Sequence, residues 1–132
     1  MTGGDYERVD HETAQSRCED IGGYLSFFLT QDELDHFNNE RETLGRKEWL
    51  GIVKNQTTQV WQTVTGINNT IFDWTTNEPN NVGGVENCIE RYTYGTWNDE
   101  PCNQLETFSC RLEELVPDHL NCSTDYFLAN GN

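Results

Sequence analysis

The sequence predicts an α+β fold, with two helices near the start followed by short strands and long loops. Apolar residues recur at helical spacing only in the first third of the chain, each stretch opened by a capping residue. From Trp49 onward the apolar residues fall in short runs separated by Asn, Gly, Thr and Pro, the signature of strands and turns.

The first helix opens at Asp10, places Ala14, Cys18 and Ile21 at i, i+4 and i+7, and ends at Gly22-Gly23. A short strand follows. Thr30 and Glu33 then form a capping box, Leu34 and Phe37 share one face, and this second helix fades by Asn39 or Arg41. Trp49 to Val53, Val60 to Val64, Cys88 to Tyr92 and Phe108 to Leu112 read as strands. The asparagine-rich stretch from Gly66 to Val85 is too polar for a core, and a loop this long in a small domain usually carries function. After Leu112 the chain turns acidic and loses periodicity. The expected organisation is one domain over residues 1–112 and an acidic C-terminal extension over residues 113–132.

A length of 132 residues leaves room for a single domain. Hydrophobic residues make up only 34%, so the core is lean and leans on the four Trp, five Tyr and six Phe. The formal net charge of -15 repels phosphates and anionic headgroups, which argues against nucleic acid and membrane-surface partners. The longest mainly apolar run, Tyr24 to Leu29, falls far short of the roughly 20 residues that cross a bilayer, so no membrane insertion is expected. Met1 to Asp10 is polar rather than a signal peptide, and Met1 reads as an added start on a mature fragment.

The five cysteines, at 18, 88, 102, 110 and 122, include no C-x-x-C pair, which disfavours a zinc cluster. Spacing alone leaves their pairing open among fifteen arrangements of two bridges and one thiol. Sequons at Asn55, Asn68 and Asn121 join the cysteines in pointing to a secreted, extracellular glycoprotein. His11, His36 and His119 match no metal-ligand spacing and read as surface residues. Trp61 and Trp74 read as core packing, with Trp97 anchoring its strand.

Two oxygen-rich clusters stand out: Glu78-Pro79-Asn80-Asn81 followed by Glu86, and Trp97-Asn98-Asp99. Together Glu78, Asn80, Glu86, Asn98 and Asp99 offer three carboxylates and two amide carbonyls, a donor set suited to calcium.

Both clusters sit within a longer pattern. Cys18, Gly22-Gly23 and Leu25, then Trp49-Leu50-Gly51-Ile52, Phe72 and Trp74, Glu86-Asn87-Cys88, Gly95-Thr96-Trp97-Asn98-Asp99, Cys102 and Phe108-Ser109-Cys110 occur in an order that resembles the C-type lectin-like domain family. The resemblance runs from near Tyr6 to Leu112, so the family's opening strand looks truncated. It implies two helices with two small antiparallel sheets and a long calcium-binding loop region. It also implies disulfides Cys18 to Cys110 and Cys88 to Cys102, with no counterpart for Cys122.

Glu78-Pro79-Asn80 resembles the family's mannose-type triplet, whose proline is cis, as opposed to the Gln-Pro-Asp version that goes with galactose. The implied function is calcium-dependent binding of mannose-type or fucose-bearing glycans through two adjacent equatorial hydroxyls. The five metal residues, Glu78, Asn80, Glu86, Asn98 and Asp99, would also touch the sugar: carboxylates accept hydroxyl protons and amide NH2 groups donate to hydroxyl oxygens. Val82 makes the loop resemble that of dendritic-cell receptors for mannose and fucose, where a valine packs on the sugar ring. Positions that hold acidic ligands for an auxiliary calcium in many relatives count out to Lys54, Thr58 and Asn87, so one calcium is expected.

The rival reading is a lectin-like fold that binds a protein, ice or mineral surface. An enzyme is not expected, since no nucleophile–base pairing or phosphate loop appears. Cys122 is left free, paired with a segment outside this sequence, or linking two chains into a dimer that would raise avidity.

Overall fold

The computed structural model describes residues 7–41 and 46–112. Helix α1 spans His11–Asp20, strand β1 Tyr24–Leu25, helix α2 Gln31–Arg41, and strands β2 to β6 follow at Glu48–Lys54, Trp61–Thr63, Cys88–Arg91, Trp97–Glu100 and Cys110–Arg111. Two helices and two small antiparallel sheets are therefore present as expected: β1 pairs with β6, and the larger sheet runs β3-β2-β4-β5. The expected extension, with Cys122, Asn121 and His119, lies outside the described residues.

Local chemistry explains the helix ends. The Asp10 side chain accepts from the Thr13 N–H at 2.8 Å and caps α1. Gly22, at φ 89°, turns the chain out of the helix, while the Gly22 and Gly23 N–H groups return to the Glu19 and Cys18 carbonyls. The buried face of α1 is His11, Ala14 and Cys18, and this corrects two expectations. Ile21 is 60% exposed, because the helix has already turned off its axis there. His11 is buried rather than superficial, with its ring edge-on to Trp49 and Nε2 bonded to the Leu50 carbonyl at 2.8 Å. In α2 the Glu33 N–H donates to Thr30 Oγ1, but the Glu33 carboxylate reaches the Leu29 N–H, one residue earlier than an ordinary capping box.

Two apolar clusters fill the domain. One gathers Phe27, Phe28, Leu34, Phe37, Leu50, Ile52, Ile89 and Trp97, with Trp61 and Trp74 packed against it; the other joins Val9, Ala14, Leu25 and Trp49 around the cystines. Cys18–Cys110 ties α1 to β6 and Cys88–Cys102 ties β4 to the segment after β5. On the chain-entropy account, the long and short loops they close are worth about 4 to 5 and about 3 kcal/mol. Gly51 lets β2 pass directly beneath the Leu25 carbonyl, where a Cβ would collide with backbone.

Candidate functional site

The site is assembled by pinning the long loop to β5. The Trp97 N–H donates to the Asp73 carbonyl and the Thr75 N–H to the Trp97 carbonyl, both at 2.8 Å. Trp97 itself is fully buried, with Phe72 and Trp74 rings about it at 6.3 and 6.1 Å. The next residues of β5 thus face a loop held at fixed distance. The Glu78 N–H closes a turn onto the Thr75 carbonyl at 2.9 Å, and the Glu78-Pro79 peptide is cis.

The loop then wraps one carboxylate. Asp99, fully buried, accepts from the Asn80 N–H at 3.1 Å and the Asn81 N–H at 2.8 Å. Asn81 takes the left-handed conformation at φ 46°, which an asparagine tolerates, and opens the one-turn 3-10 segment Val82–Gly84. Its Oδ1 accepts from the Glu86 N–H at 3.1 Å, while Glu86 Oε1 accepts from the Val82 N–H at 3.0 Å. Glu78, Glu86 and Asp99 therefore converge from three points of the sequence. Glu78 Oε1 is buried with no hydrogen-bond partner among the described residues. Burial, then Asp99 and Glu86 nearby, push the Glu78 carboxyl up; burial and Asp99 push Glu86 up against the opposing Val82 N–H.

Asn80 is drawn in through its backbone, and Val82 stands 60% exposed beside Glu86. Asn98 donates from Nδ2 to Glu90 Oε2 at 3.0 Å, which uses one of the two hydrogens on its amide and leaves Oδ1 and the second hydrogen. This arrangement of oxygens, with acids crowded and one carboxylate oxygen unpartnered, fits a hard dication better than it fits solvent-exposed loop acids.

The positions of the missing auxiliary acids are also placed. The Lys54 ammonium lies 5.2 Å over the Trp61 ring, Thr58 is exposed, and the Asn87 carbonyl accepts from the Lys54 N–H at 3.0 Å. Asn68 of the second sequon is exposed and forms an isolated antiparallel bridge with Gln62, its Oδ1 accepting from Gln62 Nε2. Sequence reasoning missed the role of Asn81 as the loop's connector and of three buried acids, Glu90, Glu100 and Glu106. Strand alternation could have flagged Glu90 and Glu100, which share the Asn98 face of the β4–β5 hairpin; nothing local marks Glu106. Among the described residues no helix is long and apolar enough to cross a membrane.

Comparison with known proteins agrees with this architecture. The human C-type lectin domain family 4 member G is 36% identical over 93 residues, covering 68% of this chain and 31% of that protein. The C-type lectin lectoxin-Enh4 of Pseudoferania polylepis is 32% identical over 82 residues, covering 60% of this chain and 49% of its own length. The chain thus spans from just under a third to about half of the length of these curated relatives. Among solved structures, the human scavenger receptor C-type lectin carbohydrate-recognition domain superposes with a TM-score of 0.73 at 24% identity, covering 80% of this chain and 84% of that one. The cow C-type carbohydrate-recognition domain of CD23, solved in the presence of a GlcNAc2Man3 oligosaccharide, gives 0.71 at 24% identity, covering 82% and 84%. The profile of the lectin C-type domain matches residues 7–112, and the chain belongs to that family.

Proposed function

We propose that this domain is a calcium-dependent lectin for mannose-type or fucose-bearing glycans, acting outside the cell. The observation that carries the proposal is the gathering of Glu78, Glu86 and Asp99 around the Glu78-Pro79-Asn80 turn, with Glu78 Oε1 buried and unpartnered. Glu78, Asn80, Glu86, Asn98 and Asp99 would hold one calcium ion, which when bound supplies open coordination positions for two vicinal sugar hydroxyls. The chain's own groups do the rest. Carboxylates of Glu78 and Glu86 accept the hydroxyl protons, and amide hydrogens of Asn80 and Asn98 donate to the hydroxyl oxygens. Exchanging acid for amide at positions 78 and 80 would invert that pattern, which is why the triplet favours mannose over galactose. Val82, exposed at the edge of the same loop, offers an apolar contact to the ring.

One calcium in the long-loop region is expected, because Lys54 brings an ammonium to the auxiliary position and neither Thr58 nor Asn87 supplies a carboxylate there. No catalytic step is assigned. Two hydroxyls bury little area, so a monosaccharide should bind at about millimolar Kd, near -4 kcal/mol. A Cys122-linked dimer would supply avidity, and a single band at the monomer mass on a non-reducing gel would rule it out.

The test is chromatography on mannose-agarose and galactose-agarose in millimolar calcium, followed by EDTA. Retention on mannose alone, released by chelation, is the expected result. Flow-through on both columns would overturn the sugar reading in favour of a protein, ice or mineral surface.

A further inference from the structure

A second set of acids lies in the body of the domain, away from the long loop. Glu90 on β4 and Glu100 on β5 project from one face of the hairpin, and Glu106 reaches them from the following segment. Backbone bonds in both directions with Val9, each 2.9 Å, hold Glu106 there. Each of the three presents a carboxylate oxygen, and these oxygens all lie within 4.8 Å of one another. The three residues are only 2%, 8% and 7% exposed.

Buried carboxylates of this kind need donors, and here they are missing. Glu90 Oε1 and Glu100 Oε2 are both buried with no hydrogen-bond partner among the described residues, while Glu90 Oε2 accepts from Asn98 Nδ2. The charge of Lys47 acts on Glu106, but Lys47 is exposed and its ammonium also faces the Tyr92 ring at 5.3 Å. A dication with Lys47 balances three carboxylates fully.

We propose that Glu90, Glu100 and Glu106 form a second divalent-cation site for a hard, calcium-sized ion. All-carboxylate donors select hard cations such as calcium or magnesium over zinc or copper. Oxygens that all lie within 4.8 Å of one another can be reached together by one ion at calcium's ligand distances of about 2.3 to 2.6 Å. Such an ion would clamp the β4–β5 hairpin to the 101–107 segment. Through Glu90 it would also orient Asn98, a residue of the candidate sugar site. The inference does not depend on the sugar reading, since the donors are different residues.

The test is calcium stoichiometry by equilibrium dialysis with radiocalcium at pH 8, on the full chain and on Asp99→Asn, Glu106→Gln and the double variant. The expected result is two ions per chain for wild type, one for each single variant and none for the double. If only the long-loop reading fails, wild type binds one ion that survives Asp99→Asn and is lost in Glu106→Gln. If the Glu106→Gln chain binds as many ions as wild type, the second site is refuted. Folding does not confound this, because a Gln amide would donate to the neighbouring acids and the variant in EDTA should melt no lower than wild type. Crystals of wild type soaked in calcium give an independent readout: an anomalous peak among the three carboxylates is expected, and its absence overturns the proposal.

Discussion

Asp99 carries more of the candidate site than any other side chain, because both of its oxygens organise backbone that lies eighteen and nineteen residues away. Replacing it by Asn leaves one acceptor for the two N–H groups and removes a charge from the proposed donor set. We expect Asp99→Asn to lower calcium affinity by more than about tenfold and to abolish retention on mannose-agarose, measured by calorimetry and column elution. Glu78→Gln with Asn80→Asp keeps the number of oxygens and reverses the order of donor and acceptor. That pair should weaken mannose relative to galactose in competitive elution; unchanged preference would show that the triplet does not set specificity. Asn81 is the quieter participant: its left-handed turn and its bond to the Glu86 N–H bring Glu86 back toward Asp99.

Among the elements, β2 is the most constrained, since it lies between β3 and β4 and runs beneath β1 at Gly51. A methyl group there meets the Leu25 backbone, which cannot move without disturbing the β1–β6 pair. Gly51→Ala should therefore cost about 1 to 3 kcal/mol in urea unfolding, as overpacking does elsewhere. The β4–β5 hairpin divides its faces by alternation. Ile89 and Trp97 supply the core and Asp99 the loop, while Glu90, Asn98 and Glu100 share the opposite face. One hairpin thus connects both candidate cation sites.

For the whole molecule, pH sets calcium-free stability and calcium binding in opposite directions. Glu100 and Glu106 titrate in the fold at about 10 and about 7, above the ordinary 4.5, so the folded state holds more protons than the unfolded one between those values. These two acids make stability in EDTA fall as pH rises from about 4.5 through 7 and beyond, and the net charge of -15 adds repulsion of the same sign, while buried His11, whose pKa burial lowers, acts the other way only below its ordinary 6.5. Cation binding needs the deprotonated acids and strengthens with pH. Melting scans from pH 6.5 to 8, above the range in which His11 contributes, should show Tm in EDTA declining while the gain from calcium grows; a rising Tm in EDTA there would contradict the linkage. By the same logic, mannose retention should be lost near pH 4, where Glu78 and Glu86, both raised, are protonated.

Much of this was legible in the sequence because it is local. Asp10 and Gly22 bound α1 by capping chemistry, Thr30 opens α2, and short apolar runs mark the strands wherever side chains alternate. The disulfides and the five candidate ligands came from ordered motifs, which carry information beyond propensity. Spacing could not show that His11 is buried, because a histidine on an otherwise polar helix looks like surface until Trp49 and the Leu50 carbonyl close over it. Nor could it show that Ile21 faces solvent, since that depends on where the helix turns away. The triad of Glu90, Glu100 and Glu106 is the clearest case. Each looks like an ordinary solvated acid in an acidic chain, and only the pairing of β4 with β5 and the return of the chain past Val9 place the three within reach of one ion. The sequence by itself determined the helices and the strands, because caps and alternation act over a few residues. The tertiary structure alone decided which charges are buried together, because burial depends on segments distant in the chain and on the loss of water between them.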